Sequence, residues 1–314
     1  YNSIGPGKLS GLLISPTSPP LDQLLVSMNN IKGLENLNYE KYIIRLDNRL
    51  FQWNNSNKMV QRWFYINSIG FKSKNKNFEI NFIDAVISTG FNRGLEWYYM
   101  LPLPNLIIER KHQEPWSEGS DTLSQIGKGD NDNHLLGMNA LIKHENYKFY
   151  IELIIDEWQL SKDTRSNMQT VFGFLSGLQF NFNKLTTAIE YNLASPWLYL
   201  NRGLYANLEY QGIPLGLIKP HSHGLILGFN YKIDSNRNLE SKLYTLSKGN
   251  QTLNTKWDAW NNFVNPFKFN SKEKAMFKLI YKNSKGKIIN NIIIFNNWFN
   301  YQGLNFIISK IWKF

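Results

Sequence analysis

The spacing of turn signals constrains this chain more than any single motif does. From Leu135 onward, short segments of alternating apolar and polar residues are joined by connections that are tight and long in turn. His144-Glu145-Asn146, Asn183-Lys184, Asp234 to Asn238 and Asn283 to Gly286 carry hairpin-type turn residues. Between them lie long connections at 101–133, 158–168, 195–222 and 249–274. An up-and-down meander reverses at every turn, so this parity puts the tight turns at one end and the long loops at the other. Bacterial outer-membrane barrels are arranged that way. A soluble sandwich has no reason to sort its loops by parity.

The segments themselves read as half-buried strands. Tyr42, Ile44, Leu46, Asn48 and Leu50 oppose Lys41, Arg45, Asp47 and Arg49. Phe149, Ile151, Leu153 and Ile155 oppose Glu152 and Asp156, with Ile154 breaking the pattern. Phe172, Phe174, Leu178, Phe180 and Phe182 oppose Gly173, Gly177, Gln179 and Asn181. Leu225, Leu227, Phe229, Tyr231 and Ile233 oppose Gly228, Asn230 and Lys232. Alternation alone leaves two folds open. In a sandwich the charged face meets water outside; in a barrel it lines the lumen and the apolar face meets lipid.

Strands are expected at 8–14, 21–29, 37–53, 60–71, 77–89, 94–100, 134–143, 147–157, 169–182, 184–194, 223–233, 239–248, 275–282, 287–297 and 303–314. Single-chain bacterial barrels use even numbers, so this odd count predicts a strand missing before Tyr1. The last segment carries Leu304, Phe306, Ile308, Trp312 and Phe314 on one face, interrupted by Lys310. A terminal Phe with an aromatic two positions earlier resembles the assembly signal of bacterial barrel proteins, in which the last strand closes on the first.

Composition agrees. Aromatic residues make up 15% of the 314, including 10 Trp and 16 Tyr, which suits the interfacial girdles of barrels. No run approaches the length of a spanning helix, which excludes a helical membrane protein. Zero cysteine excludes disulfides and thiol catalysis. A formal net charge of +11 points to a partner of opposite sign, such as acidic polysaccharide or lipid phosphate. No nucleic-acid-binding signature accompanies it, so nucleic acid is not an expected partner.

A series of short stretches resembles the Wzi-type capsule-assembly family of outer-membrane proteins. It begins with Gly5-Pro6-Gly7-Lys8-Leu9-Ser10-Gly11-Leu12-Leu13-Ile14-Ser15 and Ser18-Pro19-Pro20. It continues through Asn92-Arg93-Gly94-Leu95-Glu96, Leu101-Pro102, Gly129-Asp130-Asn131-Asp132-Asn133, Leu135-Leu136-Gly137, Tyr150-Ile151-Glu152, Asp156-Glu157 and Pro214-Leu215-Gly216. The resemblance covers residues 5–233 and fades beyond. It implies a closed barrel of about eighteen strands that retains capsular polysaccharide as a lectin and is not an enzyme. It also implies that this chain lacks the family's N-terminal part.

No residue constellation argues for catalysis, a metal or a cofactor. His221-Ser222-His223 offers two ligands without a third, and Ser222 lacks a placed base and orienting acid. Asp130-Asn131-Asp132-Asn133 lacks the distal Glu of a calcium loop and reads as a turn. Glu152 and Asp156 would stand about 13 Å apart along a strand, at about 3.3 Å per residue, which is too far for a glycosidase pair. They are expected to neutralise lumen cations such as Arg45 and Arg49.

The expectation is therefore a single domain over 1–314: an all-β, transmembrane, antiparallel up-and-down β-barrel of about 16–18 strands in the outer membrane of a Gram-negative bacterium. Its expected role is that of a lectin or anchor for acidic capsular polysaccharide, with outer-membrane lipid and the barrel-assembly machinery as further partners. Candidate glycan contacts are Trp116 in the 101–133 loop, Trp257 and Trp260 in the 249–274 loop beside Phe263 and Phe267, and the cations Arg45 and Arg49. The alternative is a porin-like or uptake channel, which needs the same barrel with an open pore.

Overall fold

The computed structural model describes residues 3–31, 34–53, 56–91, 93–105, 132–157, 169–201, 204–216, 219–255, 264–269, 274–285, 288–297 and 305–312. Its main sheet is a meander in which each strand pairs antiparallel with the next. The order begins β1 (Asp22–Ile31), β2 (Leu34–Arg45), β4 (Ser56–Lys72), β5 (Phe78–Phe91), β6 (Asn133–Lys143), β7 (Tyr147–Glu157) and β8 (Val171–Phe182). It continues with β9 (Leu185–Ala194), β12 (Ser222–Lys232), β13 (Arg237–Lys248), β14 (Lys274–Lys285), β15 (Ile288–Asn297) and β16 (Asn305–Trp312). A short β3 (Arg49–Trp53) pairs with β4, and β10 (Glu209–Tyr210) with β11 (Ile213–Pro214) makes a separate two-stranded hairpin.

Tight turns gather at one end of the meander, as their parity requires. His144 N–H donates to the Tyr147 carbonyl at 2.8 Å, and Asn183 turns the β8–β9 hairpin at a φ of 42°. Asn tolerates that left-handed region better than most residues. At the β12–β13 turn, the Asp234 carboxylate accepts the backbone N–H groups of Asn236 and Arg237. The long connections leave from the opposite end.

Three expected strands differ. Residues 8–14 form no strand; they run inside the barrel, bent, with one bridge from Ile4 to Ile14. Residues 94–100 are not a strand either and end in a single helical turn, α1 (Trp97–Met100). The 37–53 segment is two strands, because the chain breaks at Leu46–Asn48. The sheet therefore has fourteen described strands. Among the described residues β1 and β16 do not pair with each other, so the expected closing contact is not part of this sheet.

Register tells which residues face inward. Glu152 of β7 lies opposite Asn139 of β6, which lies opposite Asn81 of β5, and so across to Gly70 of β4 and Asn38 of β2. These positions line the interior. For the segments carrying Glu152, Gly177 and Gly228, the polar or small face is the inner one, as expected. For β2 the order is reversed. Tyr42 and Ile44 face inward with Phe64 and Ile66 and join the main buried cluster, whereas Lys41, Ile43 and Arg45 lie on the outer face. The break at Leu46–Asn48 then changes phase, so that Arg49 returns to the inner side opposite Val60.

Candidate functional site

Among the described residues, two segments fill most of the interior. The first is residues 4–15, whose Leu12, Leu13 and Ile14 pack against Ile44, Phe64, Ala85 and Leu175 of the wall. Because this segment makes no ladder, its backbone N–H groups need other acceptors. Two inward-facing carboxylates supply them. Glu152 accepts from Gly7 N–H at 3.1 Å and Leu12 N–H at 3.0 Å. Glu190, with no exposed surface, accepts from Lys8 and Leu9 N–H at 2.7 Å each, and from the Ser10 and Tyr150 hydroxyls. Wall glycines leave the space: a Cβ on Gly228 would stand 2.7 Å from Leu9, and one on Gly173 would stand 2.7 Å from Leu198.

The second segment is the β9–β12 connection, which enters the long-loop mouth. Tyr199 N–H donates to Asp156 at 3.1 Å, its hydroxyl donates to the Leu12 carbonyl at 2.7 Å, and Ser15 N–H donates to the Leu215 carbonyl at 2.8 Å. The β10–β11 hairpin turns on Gln211 and Gly212, both at positive φ, as a two-residue hairpin of primed type requires. An ion network fixes it. Arg49 bridges Asp47 and Glu209 at 2.8 Å each, and buried Arg62 bonds Asp47 and the carbonyls of Asn207 and Glu209. Burial pushes the Glu209 carboxyl up while Arg49 and Arg62 pull it down; burial wins.

Between the wall and residues 3–6, toward the tight-turn end, lies a cavity of about 460 Å³. Its polar lining includes Asn38, Glu40, Ser68, Glu79, Asn81 and Asn139. Asn81 Nδ2 donates to Asn139 at 2.8 Å and to Glu79 at 3.2 Å.

No protein-family model matches the sequence. No curated protein matches it either. Among solved structures, Wzi of Escherichia coli superposes on 98% of this chain with a TM-score of 0.55 at 14% identity. That protein is described as an outer-membrane protein involved in group 1 capsule assembly and a carbohydrate-binding β-barrel. The fold here is Wzi-like. The chain spans 62% of the length of that structure.

Within this Wzi-like barrel, the expected contacts fall in different places. Trp116, Trp257 and Trp260 lie outside the described residues, as does Phe263. Phe267 is exposed beside the mouth. Arg49 is at the mouth but already holds Asp47 and Glu209, and Arg45 is exposed on the outer wall, not in the lumen. The expectation that Glu152 and Asp156 neutralise these two arginines is therefore corrected: both carboxylates bind backbone N–H groups of the filling segments. Of the Gly129–Asn133 stretch, expected as a turn, residues 129–131 lie outside the described residues. Its Asp132 grips Arg93 and accepts from the Tyr99 hydroxyl, and burial pushes its carboxyl up to about 6 against the pull of Arg93. His221 Nδ1 meets Gln251, and Ser222 Oγ donates to the Lys219 carbonyl. Among the described residues no three His, Cys, Asp or Glu side chains converge on a metal position.

Glu190, Tyr199 and Arg62 were not singled out by sequence reasoning. A signal existed for Glu190: a lone carboxylate on the inner face of Thr186–Ala194 requires a partner, and the glycine-rich residues 5–11 carry unpaired backbone donors.

Proposed function

We propose that this chain is an outer-membrane β-barrel that binds acidic polysaccharide and holds it at the surface of a Gram-negative cell, without catalysing a reaction on it. One observation carries the membrane part: the distribution of polarity is inside out. Exposed apolar side chains such as Phe82, Ile142, Phe149, Ile189, Phe229 and Tyr231 stand on the outer face of successive strands. Charged groups such as Glu152, Glu190 and Arg62 are buried inside. A water-exposed protein of this size does not display so broad an apolar band; a barrel in lipid does.

The carbohydrate part is supported by the Wzi-like fold, the formal charge of +11 and the grouping of long connections at one end. Trp116, Trp257 and Trp260 are the proposed stacking residues, since aromatic rings offer apolar faces to sugars. Arg45 and Arg49 are the proposed cations, with Arg49 bound to its two carboxylates. Lipid and the barrel-assembly machinery follow as partners from the membrane reading. The filled interior weighs against the channel alternative.

Purified protein in detergent is expected to bind an acidic polysaccharide at low salt and release it as salt rises, because exposed charges are screened within about 10 Å at 0.1 M. Trp257→Ala with Trp260→Ala is expected to weaken retention about tenfold, a loss of roughly 1.4 kcal/mol, with the barrel intact. Unchanged retention in that variant and in a 249–273 deletion would reject these contacts. No binding by the parent protein would reject the function.

A further inference from the structure

The outer wall carries a polar cluster where an apolar face is expected. On β2, β4 and β5 the register places Lys41, Asn67 and Asp84 outward, side by side; His134 of β6, opposite Val86, is the next outward position toward the long-loop end. Asp84 lies near the middle of the fourteen-residue β5, so the cluster is far from both ends of the wall. Yet Lys41 is only 2% exposed. What buries it is the stretch Arg93–Asn105, which leaves the long-loop end of β5 and folds back down the outside.

The polar side chains hold this stretch by its irregular backbone. Asp84 accepts the Asn105 N–H and meets His134 Nε2 at 2.5 Å. Asn67 Nδ2 donates to the Leu103 carbonyl at 2.9 Å, and Lys41 Nζ donates to Asn105 Oδ1 at 3.3 Å. Asn105 Nδ2 donates to the Asp84 carbonyl at 2.9 Å. Nearer the top, Tyr65 receives Glu96 N–H on its hydroxyl at 3.0 Å, and Arg93 is gripped by Glu96 and Asp132. Below, Ile43, Tyr65 and Val86 pack on Tyr99. The side turned away from the wall is apolar: Leu95, Trp97, Met100, Leu101 and Leu103 are all exposed, Trp97 at 70%. It continues directly into Phe82 and Ile69, the exposed pair one step below Asp84 and Asn67.

Non-helical backbone at membrane depth needs protein partners for its polar groups, and here Tyr65, Asn67 and Asp84 supply them to Glu96 N–H, the Leu103 carbonyl and Asn105 N–H. We propose that Arg93–Asn105 is a re-entrant strap lying within the bilayer, its apolar side in contact with lipid acyl chains and its backbone hydrogen-bonded to a polar patch on the barrel wall. The proposal rests on the outer-membrane reading and extends the lipid-contacting surface beyond the strands. Trp97, near the top, would sit at the headgroup level, where its ring is favoured.

The absence of cysteine makes the test direct. Single variants Leu103→Cys and Phe82→Cys, nitroxide-labelled and reconstituted in phospholipid vesicles, are compared for collision with oxygen, which partitions into lipid, and with a water-soluble nickel chelate. The expected result is oxygen-rich, nickel-poor collision at both sites, equal within about twofold. A Leu103 label that meets nickel, or is screened from both reagents by covering protein, while the Phe82 label reports lipid, overturns the strap and leaves the membrane reading standing. A Phe82 label that itself meets nickel overturns both.

Discussion

At the scale of single residues, two strands show how side matters more than character. Leu178 lies mid-way along β8 on the outer face, opposite exposed Phe149 and Ile189. Asn230 lies on the inner face of β12, two positions from Gly228. Leu178→Arg is expected to cost about 2–4 kcal/mol near the midplane and Asn230→Arg much less. Urea midpoints of vesicle-inserted protein read the difference; equal midpoints would contradict the face assignment. Gly177 is unsuited as an inner control, because a Cβ there would stand 2.3 Å from the Tyr150 ring. Only the structure reveals that restriction: the sequence places Gly177 and Tyr150 on different strands, and the paired register brings them together.

At the scale of elements, the segment 4–15 is the piece whose removal has the clearest readout. Glu190→Ala with Glu152→Ala strips the acceptors from Gly7, Leu9 and Leu12 and leaves Lys8 N–H only the Tyr150 hydroxyl, at about 1–3 kcal/mol for each buried donor left unpaired. The parent is expected to be electrically quiet in planar bilayers, and the double variant to show conductance steps with its strands intact. A silent double variant would mean that other groups block the interior. The same segment explains what was hard to read. Its apolar residues resemble a strand, but a strand needs a neighbour for its N–H groups, and here carboxylates from strands far along the sequence take that place. Residues 94–100 deceive in the same way, since a strap with one apolar side and a lipid-facing strand carry similar residues. By contrast, the hairpin turns expected at 144–146, 183–184 and 234–238 were legible because turn chemistry is local, although the last is shorter than expected, with β13 starting at Arg237. The face of β2 was not, since both of its sides are covered, one by the filling and one by the strap.

At the scale of the whole molecule, β16 sets the last test. Register places Trp312 opposite Ile288 and Ile308 opposite Ile292, on one face of the final hairpin. Trp312→Ser with Phe314→Ser is expected to lower outer-membrane assembly severalfold, read as the fraction showing a heat-sensitive gel mobility shift. Undiminished assembly would show that this strand does not direct insertion. The parity of loops made the architecture readable from sequence, whereas the proposed glycan contacts Trp116, Trp257 and Trp260 lie in long connections, where the sequence offers no alternation from which to place a side chain. The clasp on residues 4–15 also has a consequence in time. Gly7 and Leu12 await a carboxylate 145 and 140 residues later, and Leu9 one 181 residues later. Contacts that distant form slowly, because the chain between them must first be ordered. The stretch synthesised before its acceptors is thus seated only after them. Until β7 and β9 are in place it has nothing to bind, and its seating reports that much of the wall has already been built.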